Sequence, residues 1–142
     1  MNPDQVGIPA SNRRSDRMIR HCLIAAGISG LMGISFGAFA AHGLVRLGNP
    51  LIVEWVKTGA SYQLWHAAAL LGMISLAGRF NAAWLRAVTL CFFVGSLLFA
   101  GSLYAMALLQ WMWLGIITPI GGLIMILGWI LLIILGYRTV KP

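Results

Sequence analysis

The sequence predicts an all-α integral membrane protein: a four-helix bundle with a short interfacial helix between spans one and two. Three observations lead there. Residues 87–137 hold fifty-one positions without one Asp, Glu, Lys or Arg. A charge at the bilayer centre costs roughly 2.5–3.5 kcal/mol on insertion scales, a penalty that water does not impose. That stretch far exceeds the about 20 residues that cross the hydrocarbon once, so it must fold back as a hairpin. The chain of 142 residues is also 60% apolar and only 9% charged, against about 25% charged in ordinary soluble domains, and its mean hydropathy is +0.88. Finally, the basic residues behind the net charge of +7 lie in short tracts at the ends of apolar runs. Such tracts set topology and touch anionic headgroups. They form no basic face with interleaved aromatics, which argues against nucleic acid as a partner.

The chain reads as one domain. Residues 1–18 carry Pro3, Gly7, Pro9, Arg13, Arg14 and Arg17 and read as a polar, basic tail. The first span covers about 19–44. Its arginine-rich start and Ala38-Phe39-Ala40 imitate a cleavable signal, but the apolar run is longer than a typical signal core. A retained helix is expected instead. Asn49-Pro50 has the form of a helix cap followed by a first-turn proline. Leu51, Ile52, Trp55 and Val56 then share one side, with Glu54 and Lys57 on another, as in a helix lying in the membrane interface. That helix either ends near Gly59 or runs into the second span, about 61–78. Residues 79–86 form a short basic loop, and the third span covers about 87–109. Gln110-Trp111-Met112-Trp113 is the tight turn, with tryptophans suited to an interfacial belt. The fourth span covers about 113–136. Within it Pro119 either kinks one long helix or opens a helix capped by Thr118; the second reading is favoured. Residues 139–142 are a short polar end.

Four spans place both termini on one side, together with Arg13, Arg14, Arg17, Arg20, Arg79, Arg86, Arg138 and Lys141. Only Arg46 and Lys57 fall on the other side. Both ends are therefore expected to be cytoplasmic. Cys22 and Cys91 begin spans one and three near that face, which argues against a structural disulfide. Two isolated cysteines make no metal site.

Helices in lipid associate through close packing and hydrogen bonds, because apolar side chains gain nothing by leaving lipid for one another. Gly30, Gly33 and Gly37 recur along one face of span one. Gly101 and Ser102 in span three and Gly121 and Gly122 in span four offer similar surfaces. These faces either pack within the monomer or dock a partner subunit.

Polar side chains inside apolar spans are the default functional candidates. His42 ends span one; Tyr62, Gln63 and His66 open span two at helical spacing; Glu54 is close enough in sequence to join them. Three readings compete: a hydrogen-bond network stapling the helices, haem or quinone held near His42 and His66, and a proton- or ligand-handling pocket. No span contains an acidic residue, which argues against a carboxylate-driven pump. His21, beside Arg20, reads as solvated. No nucleophile with its base, phosphate loop, metal spacing or paired carboxylates is visible. The expectation is a protein that is not an enzyme and carries no cofactor or metal.

Gly37-Ala38-Phe39-Ala40-Ala41-His42-Gly43-Leu44 resembles the GAFGAHGL signature of a small four-span membrane family of unknown function, the YgdD/YwdK-like domain-of-unknown-function family 423. Tyr62-Gln63-Leu64-Trp65-His66-Ala67 is similar to its YQxxHA segment and Gly101-Ser102-Leu103-Tyr104 to its GSLY. Gly115, Thr118-Pro119-Ile120-Gly121-Gly122 and Gly128-Trp129 resemble its GxxTPxGG and GW elements. The likeness covers about residues 20–136, and Ala40 departs from a usual glycine. It implies four spans in a bacterial inner membrane or a mitochondrial membrane, and it implies no activity. The expected role is that of an accessory or assembly subunit in a bacterial inner-membrane complex, with lipid and other membrane subunits as partners.

Overall fold

In a computed structural model of the chain, the backbone is described for residues 10–139 and the side chains for 15–138. Four long helices carry the fold: α1 (Ala10–His42), α2 (Pro50–Gly72), α3 (Ala82–Leu109) and α4 (Ile117–Thr139). No strand occurs among the described residues. Short 3₁₀ segments, Leu44–Leu47, Met73–Leu76 and Met112–Ile116, tighten the three connections.

Three segments, Ser15–Leu47, Ala82–Leu109 and Met112–Arg138, are long and apolar enough to cross a membrane; they lie in α1, α3 and α4. α2 is about 35 Å long at 1.5 Å per residue but more polar. Its buried positions explain why. Val53, Val56, Gly59, Ala60, Gln63, His66, Ala67 and Leu70 form a stripe at helical spacing that faces the other helices. A helix can carry polar groups on the stripe it turns toward other helices, where hydrogen-bond partners are within reach; its opposite face, with Leu51, Trp65 and Leu71, is exposed.

Several boundaries differ from the expectations. There is no separate interfacial helix, because residues 51–58 are the first turns of α2. Asn49 caps it as expected, its Oδ1 accepting from the amides of Leu51 (3.1 Å) and Ile52 (3.4 Å), with Pro50 opening the helix. Gly59 does not stop α2. It is where α2 crosses α3, and a Cβ there would lie 3.3 Å from Ala100 Cα and 2.8 Å from the Tyr104 ring. The second helix ends at Gly72 rather than residue 78, and the chain reverses through Gly78 at φ 83°. Residues 10–18 of the expected tail belong to α1; residues 1–9, and 140–142 at the other end, lie outside the described residues. Pro119 falls in the first turn of α4, where its missing N–H leaves no unmade bond. The helix starts two residues before it, so Thr118 is within α4 rather than its cap. At the end of α3, Gln110 takes the left-handed conformation (φ 57°), its Nε2 donating to the Ala107 carbonyl at 2.9 Å. Beyond it, Trp111 and Trp113 are exposed and stacked, with centroids 6.4 Å apart.

The helices run alternately up and down. The start of α1, end of α2, start of α3 and end of α4 meet at one end of the bundle. Ser15 approaches Gly78 there, and the Arg138 guanidinium lies over the Trp84 ring at 4.7 Å. Each helix packs on its sequence neighbour, and α1 also reaches α3. Among the described residues the α4 backbone approaches only α3 and the turn before α4.

Close approaches occur at small residues. A Cβ on Gly33 of α1 would lie 2.8 Å from Leu64 Cγ and 3.1 Å from the Ala60 carbonyl oxygen of α2. A Cβ on Gly121 of α4 would collide with the Phe99 amide nitrogen and sit 2.8 Å from the Gly95 carbonyl oxygen of α3. Gly37 makes an ordinary contact with Ala60, and Gly122 barely reaches Phe99. Gly30 and Gly101 meet nothing within 4 Å, so they are not packing positions inside this chain. Gly59, Gly95 and Gly128 take that part instead.

Two buried apolar clusters form the interior. One holds Met18, Cys22, Leu70, Met73, Leu85, Val88, Phe92 and Leu135 at the basic end. The other holds Ala40, Leu44, Val53, Val56, Ala100 and Tyr104 at the opposite end. Between them along the chain lie the buried polar residues Ser29 of α1, Gln63 and His66 of α2, and Ser96 of α3.

Candidate functional site

Gln63 and His66 sit on the buried stripe of α2, three residues apart, and face different partners. Gln63 is fully buried. Its Oε1 accepts a hydrogen bond from the Tyr104 hydroxyl of α3 at 2.8 Å, and its Nε2 donates toward Met32 Sδ of α1 at 3.7 Å. Phe36, one turn beyond Met32, stacks on the Tyr104 ring with centroids 3.8 Å apart and planes 14° from parallel. One amide thus joins three helices, with both of its ends engaged.

His66 makes the second junction. Its Nδ1 lies 2.8 Å from the Tyr62 carbonyl oxygen, and its Nε2 lies 3.3 Å from Trp129 Nε1 of α4. A carbonyl only accepts and an indole N–H only donates. Nδ1 must therefore carry the proton and Nε2 the lone pair, which selects the neutral Nδ1–H imidazole. Phe92 of α3 packs edge-on to the His66 ring at 5.3 Å and against Trp129 at 4.8 Å. This contact links α2 to α4, whose backbones do not approach each other.

Two further pairs complete the polar contacts. The Ser102 hydroxyl donates to the Phe99 carbonyl at 2.8 Å, so Thr118 of α4, 2.7 Å away, must donate to Ser102. By the same count Thr89 donates to the Leu85 carbonyl at 2.9 Å and accepts from the Cys22 thiol at 3.6 Å, joining α3 to α1. Ser29 Oγ is buried without a partner.

Of the five residues proposed from sequence as one polar cluster, Gln63 and His66 lie in the interior. His42, at the end of α1, is exposed, as is Glu54. Tyr62 lies at the surface, its ring against Trp65 (5.0 Å) and Phe99 (4.7 Å), while its backbone oxygen serves His66. His42 and Glu54 take no part in the junctions, and both ring nitrogens of His66 are engaged, so this arrangement offers no pair of free imidazoles to an iron. Among the described residues no three of His, Cys, Asp and Glu come together.

The sequence reading of this cluster missed Tyr104 and Trp129. A helical wheel of α2 places Gln63 and His66 inward, but their partners lie 41 and 63 residues away. The segments that carried the family resemblance prove to interlock: 62–67 meets 101–104 through Gln63–Tyr104 and 128–129 through His66–Trp129, and 101–104 meets 118–122 through Ser102–Thr118.

Comparison with known proteins agrees with that resemblance. A family model described as "Protein of unknown function (DUF423)" matches residues 36–122. The UPF0382 inner membrane protein YgdD of Escherichia coli K12 is 35% identical over 119 residues, covering 84% of this chain and 91% of that protein. A UPF0382 membrane protein of Staphylococcus aureus is 39% identical, covering 82% and 94%; one of Staphylococcus epidermidis is 42% identical, covering 79% and 91%. No solved structure matches significantly. With a family model over more than half its length and relatives aligned almost end to end, the chain belongs to the DUF423 family of membrane proteins.

Proposed function

We propose that this protein is a non-catalytic, multi-pass inner-membrane protein serving as an accessory or assembly subunit of a larger membrane complex. In this reading all four helices cross the bilayer. α2 crosses with its polar residues Gln63 and His66 turned toward the other helices, and the termini lie on the cytoplasmic side with the basic end of the bundle.

The observation that carries the reading is that, Ser29 apart, the buried polar side chains among the described residues have their hydrogen bonds met within the chain. Both ends of the Gln63 amide, both nitrogens of His66 and the hydroxyls of Tyr104, Ser102 and Thr89 have partners inside the chain. A solute bound here would have to displace one of these internal hydrogen bonds, which suits a structural staple better than a ligand pocket. The outward surface supports the same reading. Gly27 and Gly30 of α1 have open space where a side chain would stand, and close approach at small residues is how helices associate in lipid.

Gentle detergent extraction followed by native sizing and mass spectrometry tests the role. The expected result is a particle of high mass with defined partner subunits. Gly30→Leu is expected to release those partners while leaving the isolated chain folded. Recovery of the wild type only as a free monomer would overturn the reading. The crossing pattern is tested separately, by labelling cysteines placed at Arg79 and Gly48 from each side of sealed vesicles. Arg79 should label from the cytoplasm and Gly48 from outside.

A further inference from the structure

We infer that the basic end of the bundle holds one anionic glycerophospholipid, with its phosphate at Arg86 and His21 and an acyl chain between α1 and α3. The inference needs the bilayer setting but not the assembly role.

α1 and α3 run in the same direction and follow each other in sequence only by way of α2, and their contact is looser than that between sequence neighbours. A groove of about 350 Å³ remains between them. Ile24, Ala25 and Ile28 line one wall and Leu90 and Phe93 the other, with Thr89 the only polar group along its length among the described residues. That threonine is already bonded to Leu85 and Cys22. The walls therefore suit a hydrocarbon chain and offer nothing to a polar solute.

The mouth of the groove has the opposite character. Met18, His21 and Arg86 line both the apolar groove and an adjoining polar recess of about 380 Å³, which Arg17 and Ala82 complete. Among the described residues no carboxylate lines either part. The Arg86 guanidinium is held in place by its Nε, which donates to the Ala82 carbonyl at 3.1 Å. Its two Nη groups remain for the paired oxygens of a phosphate, a geometry that guanidinium matches.

The depth of this mouth identifies the source of the phosphate. Arg86 is the last charge before the fifty-one uncharged positions 87–137, and His21 opens the charge-free run of α1. Both therefore mark the level where hydrocarbon gives way to headgroups. From His21 to Ile28 the groove descends about 10 Å at 1.5 Å per residue, within the near leaflet of a core about 30 Å thick. Anion above and hydrocarbon below, in continuous register, describe a phospholipid rather than a free phosphate. The groove at the other end does not share this chemistry. Glu54 and Lys57 both line it, so its charges balance.

The test uses the full-length protein, purified with a 1:1 mixture of dioleoylphosphatidylglycerol and dioleoylphosphatidylcholine and delipidated in steps under native mass spectrometry. One phosphatidylglycerol should persist after the phosphatidylcholine is gone. R86Q should lower its retention about fivefold, the weight of one basic side chain at a lipid surface, and I28W, which fills the groove, should lower it further. R79Q removes a charge at the same end but outside the groove, and should change nothing. The inference fails if the wild type retains both lipids equally. It also fails if R79Q acts as strongly as R86Q, if I28W has no effect, or if millimolar glycerol phosphate displaces the lipid. The wild-type comparison decides even if a variant does not fold.

Discussion

The Tyr104 hydroxyl donates to Gln63 Oε1 at 2.8 Å, with both groups buried between α2 and α3 at the level where Met32 and Phe36 of α1 close over them. In hydrocarbon an unpaired amide or phenol finds no water to replace its partner. Tyr104→Phe leaves Gln63 Oε1 bare and Gln63→Leu leaves the phenol bare, so each single change should destabilise the chain. The double change removes both polar groups and should cost less than the two together. The coupling expected from a double-mutant cycle in mild detergent is about 0.6 kcal/mol and at most about 1.7 kcal/mol, the mean and the maximum found for hydrogen bonds between membrane helices. Strict additivity would show that the bond contributes nothing.

His66 should be found as the Nδ1–H tautomer, because its neighbours allow no other arrangement: a carbonyl at Nδ1 and an indole N–H at Nε2. Nitrogen-15 NMR of selectively labelled protein reads this directly. A protonated Nε2 in the folded wild type would contradict the Trp129 contact. Trp129→Phe keeps the aromatic packing on Phe92 but removes the donor, and should loosen α4 while α1–α3 stay together. Hydrogen exchange confined to α4 is the expected signature.

Small residues of similar appearance should respond very differently to enlargement. Gly121→Ala places a methyl against the Phe99 and Gly95 backbone, which cannot rotate away. A loss of about 2 kcal/mol or more is expected, in the upper part of the overpacking range. Gly101→Ala enters open space inside α3 and should be neutral or stabilise the chain by up to about 1 kcal/mol. Equilibrium unfolding in mixed micelles compares the two, and equal losses would mean that α3 and α4 do not cross at Gly121.

Ser29 is the one buried polar side chain among the described residues without a partner. Ser29→Ala removes a hydroxyl whose burial is not offset by a hydrogen bond, a cost of about 1–3 kcal/mol in protein interiors. The variant should be at least as stable as the wild type. A clear loss of stability would reveal that a ligand or partner normally meets this hydroxyl.

Much of the fold could be read along the chain. Asn49 and Pro50 announced the start of α2, and the uncharged positions 87–137 announced the α3–α4 hairpin. What could not be read was the state of individual residues on those helices. Gly33 and Gly30 look alike in sequence, yet Gly33 meets Leu64 and Gly30 meets nothing, because helix crossing brings backbones together at a point rather than along a whole face. His42 and His66 look like a pair, but one ends a helix at the surface and the other lies on the stripe that α2 turns inward. Gly59 looks like a helix stop and serves instead as a crossing point, since only neighbouring helices show what its missing side chain makes room for.

Hydropathy and charge placement along the chain thus determined the all-α class, the lipid-adapted segments and the gathering of bases at one end, because transfer free energies act on each segment by itself. The pairing of Gln63 with Tyr104 and of His66 with Trp129, the basic groove between α1 and α3, and which stripe of α2 is buried were decided only by tertiary structure. Those features depend on which turn of one helix faces which turn of another, and that register is set by many weak contacts acting together rather than by any local stretch of sequence.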